Sequence, residues 1–165
     1  MRLFLAIQLS PAVREALLTA QDALRRQGRG SFPPPENLHL TLAFLGEAED
    51  LTRARAALSE VSCRPFSLAV GGPPGHFGDL LWAGVRADPA LEELAVSLQA
   101  DLRSRGFCQE DRPWLPHITL VRRWRARSAG DRPPREHGGP ADLLLRSDQI
   151  DGKRIYTELS HKSLR

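Results

Sequence analysis

The sequence predicts an α+β fold made of two duplicated strand–helix–strand units, with antiparallel sheets around a central cleft. Three observations carry that expectation. Apolar residues recur at helical spacing in three stretches. Short apolar runs of strand character flank them. A single displacement, the one that sets His39 on His117, lays the first half of the chain on its second without a gap.

The elements follow in order. Leu3-Phe4-Leu5-Ala6-Ile7 reads as a strand, because its apolar stretch stops after five residues and no small-residue cleavage site of a signal peptide follows. Val13, Leu17, Ala20 and Leu24 mark the apolar face of a first helix. It opens at Ser10-Pro11, a capping side chain followed by proline at the first helical position, and closes at Gly28, a candidate left-handed cap. Phe32-Pro33-Pro34-Pro35 cannot continue a helix and introduces a strand at His39-Leu40-Thr41-Leu42. Leu51, Ala54, Leu58 and Val61 mark a second helix, a strand is expected near Pro65–Val70, and Gly71 to Gly75 joins the halves as a turn or loop.

The second half repeats the plan. Leu81-Trp82-Ala83-Gly84-Val85 is its strand, and Leu91, Leu94, Ala95, Leu98 and Leu102 face its core from a helix bounded by Asp88-Pro89 and Gly106. Under the displacement Pro11 meets Pro89, Gln21 meets Gln99, Gly28 meets Gly106, and Pro35 meets Pro113. His39-Leu40-Thr41-Leu42 falls on His117-Ile118-Thr119-Leu120. Residues 1–165 are expected to form one bilobal domain with its repeat at about 2–46 and 80–122. Beyond it, Arg123 to Pro140 is polar and rich in Arg, Pro and Gly, the composition of an exposed loop, and strands are expected at Asp142–Ile150 and Arg154–His161.

Composition bounds the function. The chain has 165 residues, 41% hydrophobic and 26% charged, enough for one core. Its net charge of +3 is far from that of a polybasic protein. Lysine occurs only at Lys153 and Lys162, so the positive charge is nearly all arginine. Genomic base composition and phosphate recognition by guanidinium forks both account for that bias. No apolar run approaches the roughly 18 residues of a membrane span, so no membrane partner is expected. Cys63 and Cys108 form no CxxC pair, which supports neither a disulfide framework nor a cysteine zinc site and favours the cytoplasm. The repeat supplies an internal two-fold, so a monomer is expected.

Strand side chains alternate between faces, so His39 and Thr41 share one face while Leu38, Leu40 and Leu42 pack behind them. His117 and Thr119 do the same in the second unit. Two imidazoles and two hydroxyls facing one cleft suit acid–base chemistry at a phosphodiester. A neutral imidazole activates water, an imidazolium protonates the departing oxygen, and the threonines donate to the non-bridging oxygens. Such chemistry requires no metal or other cofactor. His76 and His137 sit among Gly and Pro and read as loop histidines, and neither they nor His161 shows metal-ligand spacing.

These motifs resemble the 2H phosphoesterase superfamily. Asn37 to Gly46 and Arg112 to Arg122 are similar to the two signature segments of its RNA 2′,3′-cyclic phosphodiesterases, formerly called 2′-5′ RNA ligases. The start, Arg2 to Ile7, and the late Arg154-Ile155-Tyr156-Thr157 agree as well. The resemblance implies metal-independent hydrolysis of an RNA-terminal 2′,3′-cyclic phosphate to a 2′-phosphomonoester, with reversible 2′-5′ ligation of tRNA halves as a second activity. It assigns His39 as proton donor and His117 as proton acceptor, a direction the near-symmetric residues leave open. It places Thr41, Thr119 and Arg122 on the substrate, with Phe44 and Trp114 beside the nucleotide. Arg122, Arg123, Arg125 and Arg127, interrupted by Trp124, read either as a solvated loop or as a path for RNA backbone with Trp124 stacking a base. The alternatives are a sister enzyme for small cyclic nucleotides or 2′-5′ oligonucleotides, and a non-catalytic RNA-binding module.

Overall fold

The computed structural model describes residues 2–47, 51–71, 74–127, 145–147, 153–157 and 160–164. The first unit runs β1 (Arg2–Gln8), α1 (Pro11–Gln27), β2 (Gly28–Ser31), a 3-10 turn (Pro35–Asn37) and β3 (His39–Glu47). Helix α2 (Leu51–Glu60), β4 (Leu68–Val70) and β5 (Gly75–Phe77) lead to the second unit. That unit comprises β6 (Leu80–Ala87), α3 (Pro89–Ser104) and β7 (His117–Ala126), and the described residues end with β8 (Leu145–Ser147), β9 (Lys153–Thr157) and β10 (Ser160–Leu164). One sheet has the order β10-β9-β1-β3; the other has the order β2-β7-β6-β4-β8, with β5 folded onto β6. Every pairing is antiparallel.

The duplication is literal in the fold. Arg2, Pro11 and His39 open β1, α1 and β3, and their repeat partners Leu80, Pro89 and His117 open β6, α3 and β7. Both long helices begin as the sequence predicts: Ser10 accepts from the Val13 N–H and Asp88 from the Ala90 N–H, each with proline next in the chain. The copies differ in strand register. Thr41 lies opposite Ala6, whereas Thr119 lies opposite Trp82 and not opposite Gly84, the repeat partner of Ala6. The slip is from Gly84 to Trp82, an even step, and an even step returns every side chain to its original face.

The core lies where the two units meet. Leu40, Leu42, Ile118 and Leu120 are fully buried behind the His–Thr face, against Leu17 of α1 and Leu98 of α3. Burying each of these side chains contributes about 1.5–3 kcal/mol. In α1, however, the fully buried position is Gln21, and Ala20 is only half-buried. A face drawn from apolar residues alone therefore sits slightly off the true one.

Several expectations need correction. Gly28 is not a left-handed cap: its φ is −174°, ordinary extended backbone, and it starts β2. Glycine is needed there for space, because a Cβ would meet the Arg125 carbonyl oxygen and the Trp124 ring, both at 2.5 Å. Gly106, with φ +88°, does adopt the left-handed conformation. The stretch from Arg123 to Ala126 is strand, because β2 pairs with the far end of β7 through Gly28–Ala126, Arg29–Arg125 and Ser31–Arg122. An extra residue on β7 is absorbed at Arg123, whose φ is +54°. His76 lies in β5 opposite Leu81, so it is not a loop histidine. The strand near Pro65–Val70 is shortened to Leu68–Val70, and the one at Arg154–His161 is two strands, β9 and β10, paired as a hairpin. Of the strand at Asp142–Ile150, Leu145–Ser147 is observed; its remaining residues, the loop from 128 to 140 and His137 lie outside the described residues. Cys63 and Cys108 are not joined in a disulfide. Among the described residues, no helix is long and apolar enough to cross a membrane.

The two readings of Gly28 make different predictions. At an extended position in open space alanine is harmless, whereas here its methyl group collides with backbone and an indole. Gly28→Ala is expected to lower stability by about 1–3 kcal/mol, the cost of overpacking, measured by urea unfolding. An unchanged midpoint contradicts the close approach of β2 to β7.

Candidate active site

The site grows from one short motif used twice. In β3 exposure alternates: His39 and Thr41 are half-buried, while Leu40 and Leu42 are fully buried. In β7 His117 and Thr119 alternate with Ile118 and Leu120 in the same way. The apolar members anchor the strand, and the polar members are left on its open face.

Each imidazole is held by the same local bond. His39 Nδ1 lies 2.7 Å from the Asn37 carbonyl oxygen, and His117 Nδ1 lies 2.7 Å from the Leu115 carbonyl oxygen. A carbonyl only accepts, so Nδ1 carries the proton in both rings. The neutral tautomer then leaves Nε2 as the free base on each histidine. Asn37 and Leu115 are themselves repeat partners under the displacement that sets His39 on His117.

Aromatic rings fix the planes of both imidazoles. Phe4 stacks on His39 at 4.7 Å with 16° between planes. Trp82, the repeat partner of Phe4, lies 5.8 Å from the His117 ring, and Phe77 meets that ring edge-on at 5.3 Å. Gly75 leaves room for Trp82, because a Cβ there would lie 2.0 Å from the indole.

Electrostatics bear on His39. Burial pushes the His39 imidazole below its ordinary 6.5, the bond to the Asn37 carbonyl opposes this, and the Arg122 guanidinium and the second imidazole lower it further. His39 is therefore mostly neutral at pH 7 in the free protein. Its contribution to folding stability is full above about pH 6.5 and is lost as pH falls through the depressed value.

A cavity of about 330 Å³ opens beside this face, and its lining includes Thr41, Phe44, Phe77, Arg112, Trp114 and His117. Phe44 is 55% exposed, Leu115 49% and Phe77 40%. They are three of the four large exposed hydrophobic residues among those described, and all three lie on this one cavity. Sequence reasoning found Phe44 and Trp114 but missed Phe77, Arg112, Phe4 and Trp82. The last two were legible as strand residues, and their match under the repeat displacement was the available signal. Trp114 lines the same cavity, and its indole N–H donates to the Thr41 carbonyl at 3.0 Å, which fixes the ring as a wall there. Trp124 is half-buried, packed over Gly28 and edge-on to Phe32. Among the described residues, no three His, Cys, Asp or Glu side chains are grouped to hold a metal ion.

Comparison with known proteins places this geometry. The model of the 2′-5′ RNA ligase superfamily matches residues 9–135. The chain belongs to that superfamily. A curated RNA 2′,3′-cyclic phosphodiesterase of Archaeoglobus fulgidus is 34% identical over 128 residues, covering 74% of this chain and 72% of its own length. A Thermus thermophilus protein of the same name is 34% identical, with 100% of this chain and 91% of its own length covered. A third, from Geobacillus stearothermophilus, is 35% identical and longer, with 41% of its length covered. The crystal structure of Escherichia coli LigT complexed with 3′-AMP superposes with a TM-score of 0.68 at 27% identity, over 99% of this chain and 97% of that one. A T. thermophilus crystal structure reaches 0.73 at 28% identity, over 100% and 98%. Family and fold accord with the resemblance drawn from the two His-x-Thr motifs.

The charge on Arg122 provides a test of the site's electrostatics. Removing it relieves one of the influences that hold His39 down, so Arg122→Gln is expected to raise the His39 midpoint in an NMR titration of the imidazole protons. A midpoint that stays in place contradicts the coupling between the units.

Proposed function

We propose that the protein hydrolyses RNA ends carrying a 2′,3′-cyclic phosphate to 2′-phosphomonoesters, with His39 as proton donor and His117 as proton acceptor. The observation that carries this reading is the matched presentation of two imidazoles, each with Nδ1 occupied by a carbonyl and Nε2 left free. The names of the curated relatives supply the substrate class.

The reaction then has two proton transfers and one displacement. His117 Nε2 takes a proton from water as the oxygen attacks phosphorus. The bond from phosphorus to the 3′ oxygen breaks, and His39 Nε2–H gives that oxygen its proton. Thr41 and Thr119 donate to the non-bridging oxygens, and Arg122 offsets the charge that develops on them. Written this way, every charge has a protein partner and the step needs no metal. An RNA 5′-hydroxyl in place of water turns the same displacement into 2′-5′ ligation, and tRNA halves carry ends suited to both reactions.

The depressed pKa of His39 sets a condition on this scheme. A donor that is neutral in the free protein must gain its proton with the substrate, and an anionic phosphate next to the imidazole favours that protonation.

The cavity fits the nucleotide. Phe44 and Phe77 offer exposed rings beside Thr41 and His117, suited to stacking a base, with Trp114 as wall and the Arg112 guanidinium 5.9 Å from the Phe77 ring centroid. Arg29, Arg122, Arg123 and Arg125 stand exposed on the paired β2 and β7 strands and supply positive charge for backbone phosphates. The reading takes residues 1–165 as one bilobal unit, acting as a monomer in the cytoplasm.

Replacing either histidine tests the mechanism. His39→Ala and His117→Ala are each expected to lower kcat on a short RNA 2′,3′-cyclic phosphate by about 10²–10⁴, the usual worth of a general acid or base. The double variant should lose little more, because the two act as a unit. Near-full kcat in either single variant contradicts the scheme.

A further inference from the structure

The helices of the two units each carry a glutamine at the same place in the repeat, Gln21 in α1 and Gln99 in α3. Both reach across to the other unit. Gln21 Nε2 donates to the Leu120 carbonyl of β7 at 2.9 Å and to the Pro33 carbonyl at 3.0 Å. Gln99 Nε2 donates to the Leu42 carbonyl of β3 at 2.7 Å. Leu42 and Leu120 are again repeat partners, and each directly follows the threonine of its His-x-Thr motif. The two bonds are thus one bond made twice, in opposite directions.

Sheet edges explain why these carbonyls are available. Strand β3 ends its sheet, so one side of it has no strand neighbour among the described residues. In β7 the stretch from His117 to Val121 is paired on the β6 side alone, because β2 joins only from Arg122 onward. Edge strands leave a row of backbone groups open. No ladder among the described residues joins β3 to β7, and side chains span the gap: Gln21, Gln99 and the Trp114 indole on Thr41.

Energetics point the same way. Gln21 is 0% exposed and is the one fully buried polar side chain among the described residues. Two acceptors fix its amide orientation, and Oε1 is left buried without a protein partner. A buried acceptor with no donor forfeits its hydration and gains nothing in return. A leucine there would lift that cost but take away the donor that Gln21 supplies to the Leu120 and Pro33 carbonyls, so the side chain is held at this place by those two bonds.

We infer that Gln21 and Gln99 are positioning residues that set the separation of the His39–Thr41 and His117–Thr119 pairs by holding the strand of the opposite unit. As a statement about catalysis, this rests on the proposed phosphodiesterase reading. Neither glutamine enters the reaction itself.

The test uses Gln21→Met and Gln99→Met, which keep length and volume but remove the donor. Two quantities are measured on the full chain, well below its unfolding temperature: kcat and KM on an RNA 2′,3′-cyclic phosphate, and the His39 midpoint from imidazole NMR. Each variant is expected to lose at least tenfold in kcat with KM within threefold. The His39 midpoint should rise toward 6.5, because a retreating second unit exposes the ring and withdraws Arg122 and His117. A folded variant with an unmoved midpoint overturns the inference, whatever its kcat, since any loss then arises elsewhere. If Gln21→Met does not fold, Gln99→Met decides alone, because Gln99 is only half-buried and borders the cavity. If the wild-type chain leaves the cyclic phosphate intact, the functional reading fails and the midpoint still decides the positioning role.

Discussion

A single hydrogen bond, made once in each half of the molecule, governs the chemistry available here. Each histidine gives its Nδ1 proton to the carbonyl two residues upstream, which fixes the tautomer and points the free nitrogen away from the strand. The bond is possible because β3 and β7 both start at the histidine, so the residue two before it is still outside the ladder with its carbonyl unspent. The alternation of the strand then adds a hydroxyl on the same face and buries an aliphatic residue behind it. One short segment of sequence thus supplies orientation, donor and anchor together.

Duplication does the rest, but not by exact symmetry. The register slip of β6 against β7 gives His117 a different neighbourhood from His39. Phe4 lies flat on one ring, whereas Trp82 and Phe77 meet the other at steep angles. Burial and the positive charge of the second unit depress His39. The two rings thus sit in different surroundings, built from local departures within a shared plan.

Much of this was legible in the sequence. The displacement that sets His39 on His117 foretold the three duplicated elements, and the His-x-Thr spacing foretold which side chains share a face. Other features lay beyond it for physical reasons. Gly28 carries the residue type of a helix cap, but its role comes from β2 approaching β7, a long-range contact that local chemistry does not announce. The arginine-rich stretch after Val121 has loop composition, yet pairing with β2 extends the strand through it, so tertiary context overrides propensity. Gln21 breaks the apolar pattern of α1, and a hydrophobicity-based face passes over it although it is the best buried residue of its turn. The contacts of Trp114 and Trp124 are likewise long-range: one is tied to the Thr41 carbonyl and the other is folded over Gly28.

The central claim is that two imidazoles on duplicated strands open a cyclic phosphate without a metal, and the most direct measurement identifies the product. Purified protein is incubated, in excess EDTA, with a short RNA ending in a 2′,3′-cyclic phosphate, and the new end is assigned as 2′- or 3′-phosphate, with His39→Ala run alongside. The account predicts a 2′-phosphate that forms in EDTA and disappears with the variant. A 3′-phosphate, a reaction abolished by EDTA, or turnover that survives the loss of His39 contradicts it.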